Sequence, residues 1–267
     1  MKTIKRKALK SIINLILCTV ILFPFISSDS NSAEKVTKEV YMTEWNAHLA
    51  DHKDIVNLYY GLKDAVDEEG NRIYSDEFII GFLVNVEAEG NTGVVEHVFS
   101  RQHAYGFELP SGGSKIRSVY DIDYLLDWTI TDGDTDGIGV AKGSCGVSSV
   151  QWSYGRRISY LERLKKNING RWEVTEYDIS STDLEMVLYE LEPGRRYYNE
   201  VMEAAGDKTD AENYAEALCD KYFKPKNADL NMSGKGESCK TRRKAAKDLW
   251  KIFTSEEMVY KTITFSF

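Results

Sequence analysis

The chain has 267 residues, 42% hydrophobic and 28% charged, with only four prolines, which is material for one sizeable core without a long disordered tract. Its formal net charge is −8 and no basic stripe with interleaved aromatics is present, which excludes a nucleic-acid binder. No internal repeat is visible.

Lys2, Lys5, Arg6, Lys7 and Lys10 precede a mostly apolar run from Ile12 to Ile26, and Ser27 to Ala33 is small and polar, with a cleavage site at Asn31-Ser32-Ala33. This is the three-part layout of a secretory signal over residues 1–33. The run is short for a membrane span and Pro24 interrupts it; an uncleaved anchor is the other reading. The protein is therefore expected to be secreted or at the cell surface, touching a membrane only through residues 12–26 if they are retained. Loss of residues 1–33 leaves 29 basic against 41 acidic residues, a net charge of −12. Cys145, Cys219 and Cys239 remain. Export permits a disulfide, and Cys219 with Cys239 would clamp one loop between two helices, leaving Cys145 odd.

Residues 34–50 read as a lead-in. Asp51 to Val66 is predicted as a helix, with Ile55, Leu58, Tyr59, Leu62 and Val66 at helical spacing, and Asp67 to Arg72 as a polar turn. The next run, Phe78 to Val84, is apolar almost all round. Alone it fits a buried strand or a buried helix, but Ser75-Asp76-Glu77 before it and Gly90 after it favour a core helix of about three turns. Phe82, Asn85 and Glu89 share one face of that helix, while Glu87 points elsewhere with Leu83 and Ile80. Apolar surroundings and the negative end of the helix dipole both favour a protonated carboxyl at Glu89. A protonated Glu is what a general acid for glycoside cleavage requires. The alternative is that Glu87 and Glu89 are both solvated at a fraying helix end.

Asn91 to Ser114 reads as loop or short hairpin, and Ser118 to Thr129 as a helix with Tyr120, Tyr124, Leu125 and Trp128 on one side. Asp132-Gly133-Asp134-Thr135-Asp136-Gly137 matches the first half of a calcium loop, but Gly143 stands where the bidentate Glu belongs, so an acidic turn without metal is expected. Val147 to Trp152 alternates like a strand, and Tyr154-Gly155-Arg156-Arg157 opens a helix carrying Ile158, Leu161 and Leu164, which puts Gln151, Trp152 and Arg156 at a strand-to-helix corner. Trp152 equally fits a core position in a hairpin. Thr182-Asp-Leu-Glu185 and Thr209-Asp-Ala-Glu212 read as capping boxes for helices reaching Glu192 and Phe223. A last helix spans about Thr241 to Phe253, burying Ala245, Ala246, Leu249, Trp250 and Phe253. The basic cluster from Lys240 to Lys251 reads as its solvated face. Val259 to Phe267 alternates weakly, as an edge strand or an unordered tail.

Four blocks in this order resemble the phage-tail-type lysozyme-like domain of phage tail proteins and bacterial cell-wall hydrolases. They are Asn85-Val-Glu-Ala-Glu89 closing its apolar helix; Val150-Gln151-Trp152 with Gly155-Arg156-Arg157; Asp183 to Glu192; and Ala215 to Pro225 with the Arg242-Arg243-Lys-Ala-Ala246 helix. The likeness spans residues 51–254, leaving 255–267 as a C-terminal tail. Leucine or valine stands where the family has a glycine before Asn85, Gly90 replaces the serine after the acid, and the insert from Phe107 to Gly143 is long. The resemblance implies an α+β, mainly α, lysozyme-like fold with a small hairpin or sheet beside the catalytic helix. It implies peptidoglycan glycan strands as the substrate and no cofactor. By the same likeness Glu89 is the acid, Gln151 and Trp152 line the cleft, and Tyr154 and Arg156 are further sugar contacts. No metal ligands are named. Glu96, Asp121, Asp123 and Asp136 are candidates for a second carboxylate, which leaves both hydrolysis and an anhydro product open. The competing reading is a non-catalytic wall-binding or secretion-apparatus protein that keeps the fold.

Overall fold

A computed structural model describes residues 35–89, 108–130, 146–224 and 235–266. In chain order the elements are β1 (Lys35–Thr43), α1 (Glu44–Asp51), α2 (Lys53–Lys63), α3 (Asp76–Glu89), α4 (Val119–Ile130), α5 (Tyr154–Asn167), α6 (Glu176–Glu190), α7 (Arg196–Ala205), α8 (Ala211–Leu218), a π turn (Cys219–Phe223), α9 (Lys235–Thr254) and β2 (Met258–Ser266). The described protein is mainly helical with one small antiparallel sheet, the α+β class expected. No helix among the described residues is long and apolar enough to cross a membrane.

The apolar run forms α3. Phe78 to Val86 is buried without a break, because a helix apolar on all sides must be surrounded by other elements. The Ser75 hydroxyl accepts from Phe78 N at 3.2 Å, and Asp76 and Glu77 lie in the first turn, the start signal read from the sequence. α2, α8 and α9 pack around it. The approach of α8 is close enough to demand a glycine. A Cβ on Gly81 would stand 2.8 Å from Ala215 N, 2.9 Å from Tyr214 Cβ and 3.0 Å from Ala211 O.

The chain ends differ from expectation. Residues 35–43, read as lead-in, pair with 258–266 in register from Lys35↔Ser266 to Thr43↔Met258. The predicted helix from Asp51 to Val66 is α2, shorter at both ends, and the rest of the segment read as lead-in forms a further helix, α1. α1, capped by the Thr43 hydroxyl accepting from Asn46 N at 3.3 Å, ends where His52 leaves the helical region at φ −111°, ψ 62°. In α4, Ile122, Leu125 and Trp128 face inward, while Tyr120 is exposed beside Trp172, its ring centroid 6.0 Å away.

Val147 to Trp152 is a tight turn closed by one isolated bridge, with Ser148 and Gln151 at φ 63° and 57°; it is not a strand of the sheet. The inward pull of the Ser148 and Ser149 hydroxyls, which donate to the Asp183 carboxylate, breaks the alternation. α6 begins earlier than the Thr182 box predicts. Thr175 is its N-cap, with a reciprocal box to Asp178, while Thr182 is buried and donates its hydroxyl back to Asp178 O at 2.6 Å. α8 starts one residue off its predicted box, with Asp210 accepting from Asn213 N at 2.8 Å.

Candidate active site

Glu89 ends α3, and α9 brings Arg242 to it. Cys239, Arg242, Ala246 and Leu249 are buried and recur at helical spacing, so Arg242 is on the inward stripe of α9, while Lys240, Lys244, Lys247 and Lys251 are on its solvated face. One branch of the Arg242 guanidinium donates to Asn85 Oδ1 at 2.6 Å and the other to Glu89 Oε1. Asn85 is itself anchored, its Nδ2 donating to Gly81 O at 2.8 Å and Ala215 O at 2.9 Å. Glu89 thus sits at the end of a chain of charge-assisted bonds, only 17% of its side chain exposed. The apolar setting expected for it is corrected: a guanidinium stands beside the carboxylate.

Glu190, which closes α6, gathers a second group. It accepts from Trp152 Nε1 at 3.0 Å, Tyr222 Oη at 2.7 Å and both Nε and Nη2 of Arg156, at 2.8 and 2.6 Å. Trp152 is fully buried and stacked on Tyr160 with centroids 4.7 Å apart, leaving no ring face for a sugar. Its expected place on the cleft wall is corrected by that burial. Arg156 donates in addition to Tyr222 O at 3.1 Å and lies over the rings of Tyr197 and Tyr222. Its donors are committed to the fold rather than turned toward a ligand. Burial pushes the Tyr222 phenol well up, and the Glu190 charge adds to it.

Gln151 is half-buried, its Nε2 donating to Ser148 O at 2.8 Å and its Oε1 without a partner among the described residues. The chain at Gly146 must be bare for this side chain to lie there, since a Cβ would fall 2.5 Å from Gln151 Oε1. Tyr154, at φ 51°, is 46% exposed, so its ring is accessible. Behind the turn Asp183 is fully enclosed. Burial pushes its carboxyl up, and the hydroxyls of Ser148, Ser149 and Tyr160 oppose the shift.

The π turn joins the two groups. Phe223 lies 5.4 Å from Phe82 and under Arg242, whose Cζ is 5.9 Å from the ring centroid, while the neighbouring Tyr222 binds Glu190. The Cys219 and Cys239 sulfurs face one another there at 2.9 Å, both buried. Cys145 lies outside the described residues.

Of the candidate second carboxylates, Asp121 is buried, accepting from Ser111 N and Oγ, Arg117 N, and Ser118 N and Oγ at 2.6–3.0 Å. These bonds hold its carboxyl below the usual range despite burial, which alone would raise it. Asp121 is thus spent on the turn that starts α4. Asp123 pairs with Lys165 at 2.5 Å on the surface. Glu96, Asp136 and the acidic turn at Asp132 lie outside the described residues.

The sequence reading placed Arg242 and Glu190 inside blocks of the family resemblance but assigned neither a function. The inward stripe of α9 was the available signal for Arg242. Apart from the resemblance, nothing local marked Glu190, whose donors come from three other segments.

A family model described as phage tail lysozyme matches residues 63–253. No curated protein and no solved structure matches the chain.

Proposed function

The chain belongs to the phage tail lysozyme family, and from that premise we propose that it is an exported glycosidase that cleaves peptidoglycan between N-acetylmuramic acid and N-acetylglucosamine. Membership makes it a lysozyme-like protein of a peptidoglycan-hydrolysing family. The observation that carries it is the fixed array Asn85–Arg242–Glu89 at the end of a buried helix.

In this reading Glu89 is the general acid that protonates the glycosidic oxygen. Arg242 aims the carboxyl through its bond to Oε1. A carboxylate aimed by its neighbours before the substrate arrives spends no reorganisation at the moment of cleavage. Tyr154, accessible beside the turn, supplies the sugar contact, and Gln151, its Oε1 buried against Gly146, braces the turn. Trp152, Arg156 and Glu190 act beneath them as the frame that sets the turn. Residues 1–33, outside the described residues, serve as the export signal or as an anchor that keeps the enzyme at the wall.

A second reading is wall binding without turnover. The Arg242–Glu89 ion pair favours it, since it commits the carboxylate to a contact within the fold. Digestion of purified peptidoglycan by the full chain beside Glu89→Gln, with mass spectrometry of the soluble muropeptides, separates the two. Release by the wild type alone is the expected result, and product masses distinguish hydrolysis from anhydro formation. Equal release by both proteins rules out Glu89 as the acid. Binding without release by either moves the second reading ahead.

A further inference from the structure

Glu87 stands two residues before Glu89 and projects from another side of α3, where α1 ends. His48 and His52 are one helical turn apart there, and their rings stack with centroids 4.3 Å apart. Trp45 packs on His48 at 5.6 Å. His52 N donates to His48 O at 3.0 Å, which fixes His52 at the joint between α1 and α2. His48 Nε2 lies 2.7 Å and His52 Nδ1 3.9 Å from the same oxygen, Glu87 Oε1. One ligand atom from each of the three residues falls within 4.8 Å of the others.

We propose that His48, His52 and Glu87 form a binding site for a zinc-class transition-metal ion, pinning α1 to the helix that carries Glu89. Two imidazoles and one carboxylate are the donors that such ions take, whereas calcium and magnesium favour oxygen throughout. Zinc bonds of about 2.0–2.1 Å to nitrogen and oxygen space tetrahedral ligand atoms by about 3.3 Å. The separations of 2.7 and 3.9 Å bracket that spacing and all the ligand atoms lie within 4.8 Å of one another, so side-chain rotations that move them by about 1–1.5 Å seat the ion. His48 and Glu87 are 16% and 21% exposed and His52 is 43% exposed, which gives a walled site with one side open to solvent. Three protein ligands leave a fourth position for water. The site stands independently of glycan cleavage.

The test is titration of the full chain with zinc chloride by calorimetry, with magnesium chloride as control. One zinc ion per chain is expected, with no magnesium binding. His52→Ala and Glu87→Gln, each checked for native helix content by circular dichroism, should weaken zinc binding by more than about 10-fold. A double variant at His97 and His103, the other two histidines, should bind as the wild type does. Cobalt chloride gives a readout on the unaltered chain. Visible bands of a low-symmetry N/O site should appear, vanish on adding zinc and be lost in Glu87→Gln, which keeps the evidence available if His52→Ala fails to fold. Absence of zinc binding to the wild type overturns the proposal. So does wild-type affinity in both folded variants at the site.

Discussion

Arg242 has few places to go. Its guanidinium serves Asn85 Oδ1 and Glu89 Oε1 at once, and its side chain is 8% exposed. Lysine has one ammonium in place of the planar fork and cannot reproduce both bonds in that geometry. Arg242→Met keeps the stem but takes the guanidinium away from a mostly enclosed carboxylate and from an amide oxygen. Loss of about 3–5 kcal/mol in urea unfolding is expected, with muropeptide release abolished. Arg242→Lys should recover part of the stability and little of the release. The opposite order, normal release from a destabilised Arg242→Met, would show that the array is structural only. At this scale the sequence marked Glu89, because a helix-ending acid after an apolar run is a local pattern. Arg242 stood in a block of the resemblance, but in the residue pattern it lay in a basic cluster whose lysines are solvated, and there only its phase on α9 sets it apart. Trp152 read equally as core or as cleft. Its indole N–H needed an acceptor when buried, and that acceptor, Glu190, is 38 residues away.

Among elements, the tightest junction is α3 against α8. Gly81→Ala gains up to about 1 kcal/mol of helix propensity but drives a methyl against backbone atoms of α8, which costs about 1–3 kcal/mol. The neighbours at 2.8–3.0 Å include the backbone atoms Ala215 N and Ala211 O, which do not yield as a side-chain tip would, so net destabilisation is expected. The shift also disturbs Asn85 Nδ2 on Ala215 O, and muropeptide release should fall together with the melting temperature. The start of α4 depends instead on Asp121. Its carboxyl is held below the usual range, so its contribution is full above about pH 4 and is lost as pH falls through the lower folded value. Asp121→Asn turns an amide toward the backbone donors of Arg117 and Ser118, at a cost of about 2–3 kcal/mol at neutral pH. Urea unfolding as a function of pH should show the gap between the two proteins closing in acid; a gap that is constant or widens there contradicts this. Helix existence was legible for α3, α4, α5 and α9, while starts were not always. The Thr182 box fits the pattern as well as Thr175 does, but Thr182 is enclosed by packing and bonds back along its own helix.

At the scale of the whole molecule, the ribbon of β1 and β2 is set against the helical body. Its pairing joins residues more than 200 positions apart, and such a partner leaves no local trace, so residues 35–43 looked like a lead-in and 258–266 like a weak tail. A two-stranded ribbon is marginal alone. This one meets the body through Glu44 N to Glu257 O at 3.1 Å and Lys261 to Asp51 at 2.5 Å, close to α1, while the exposed Tyr41 and Tyr260 rings lie 4.8 Å apart, tilted by 39°. α3 lies among α2, α8 and α9, and its amides open only when the core does. Native-state hydrogen exchange should therefore divide the molecule. Ribbon amides are expected to open at about 3 kcal/mol or more below α3, about 100-fold faster in rate. Equal protection in ribbon and α3 would mean that the chain ends are part of the cooperative core. The carboxylate and arginine of the proposed site sit on α3 and α9, in the slowly exchanging class. That is the rigidity a pre-aimed acid requires, and it leaves the ribbon free to open without moving Glu89.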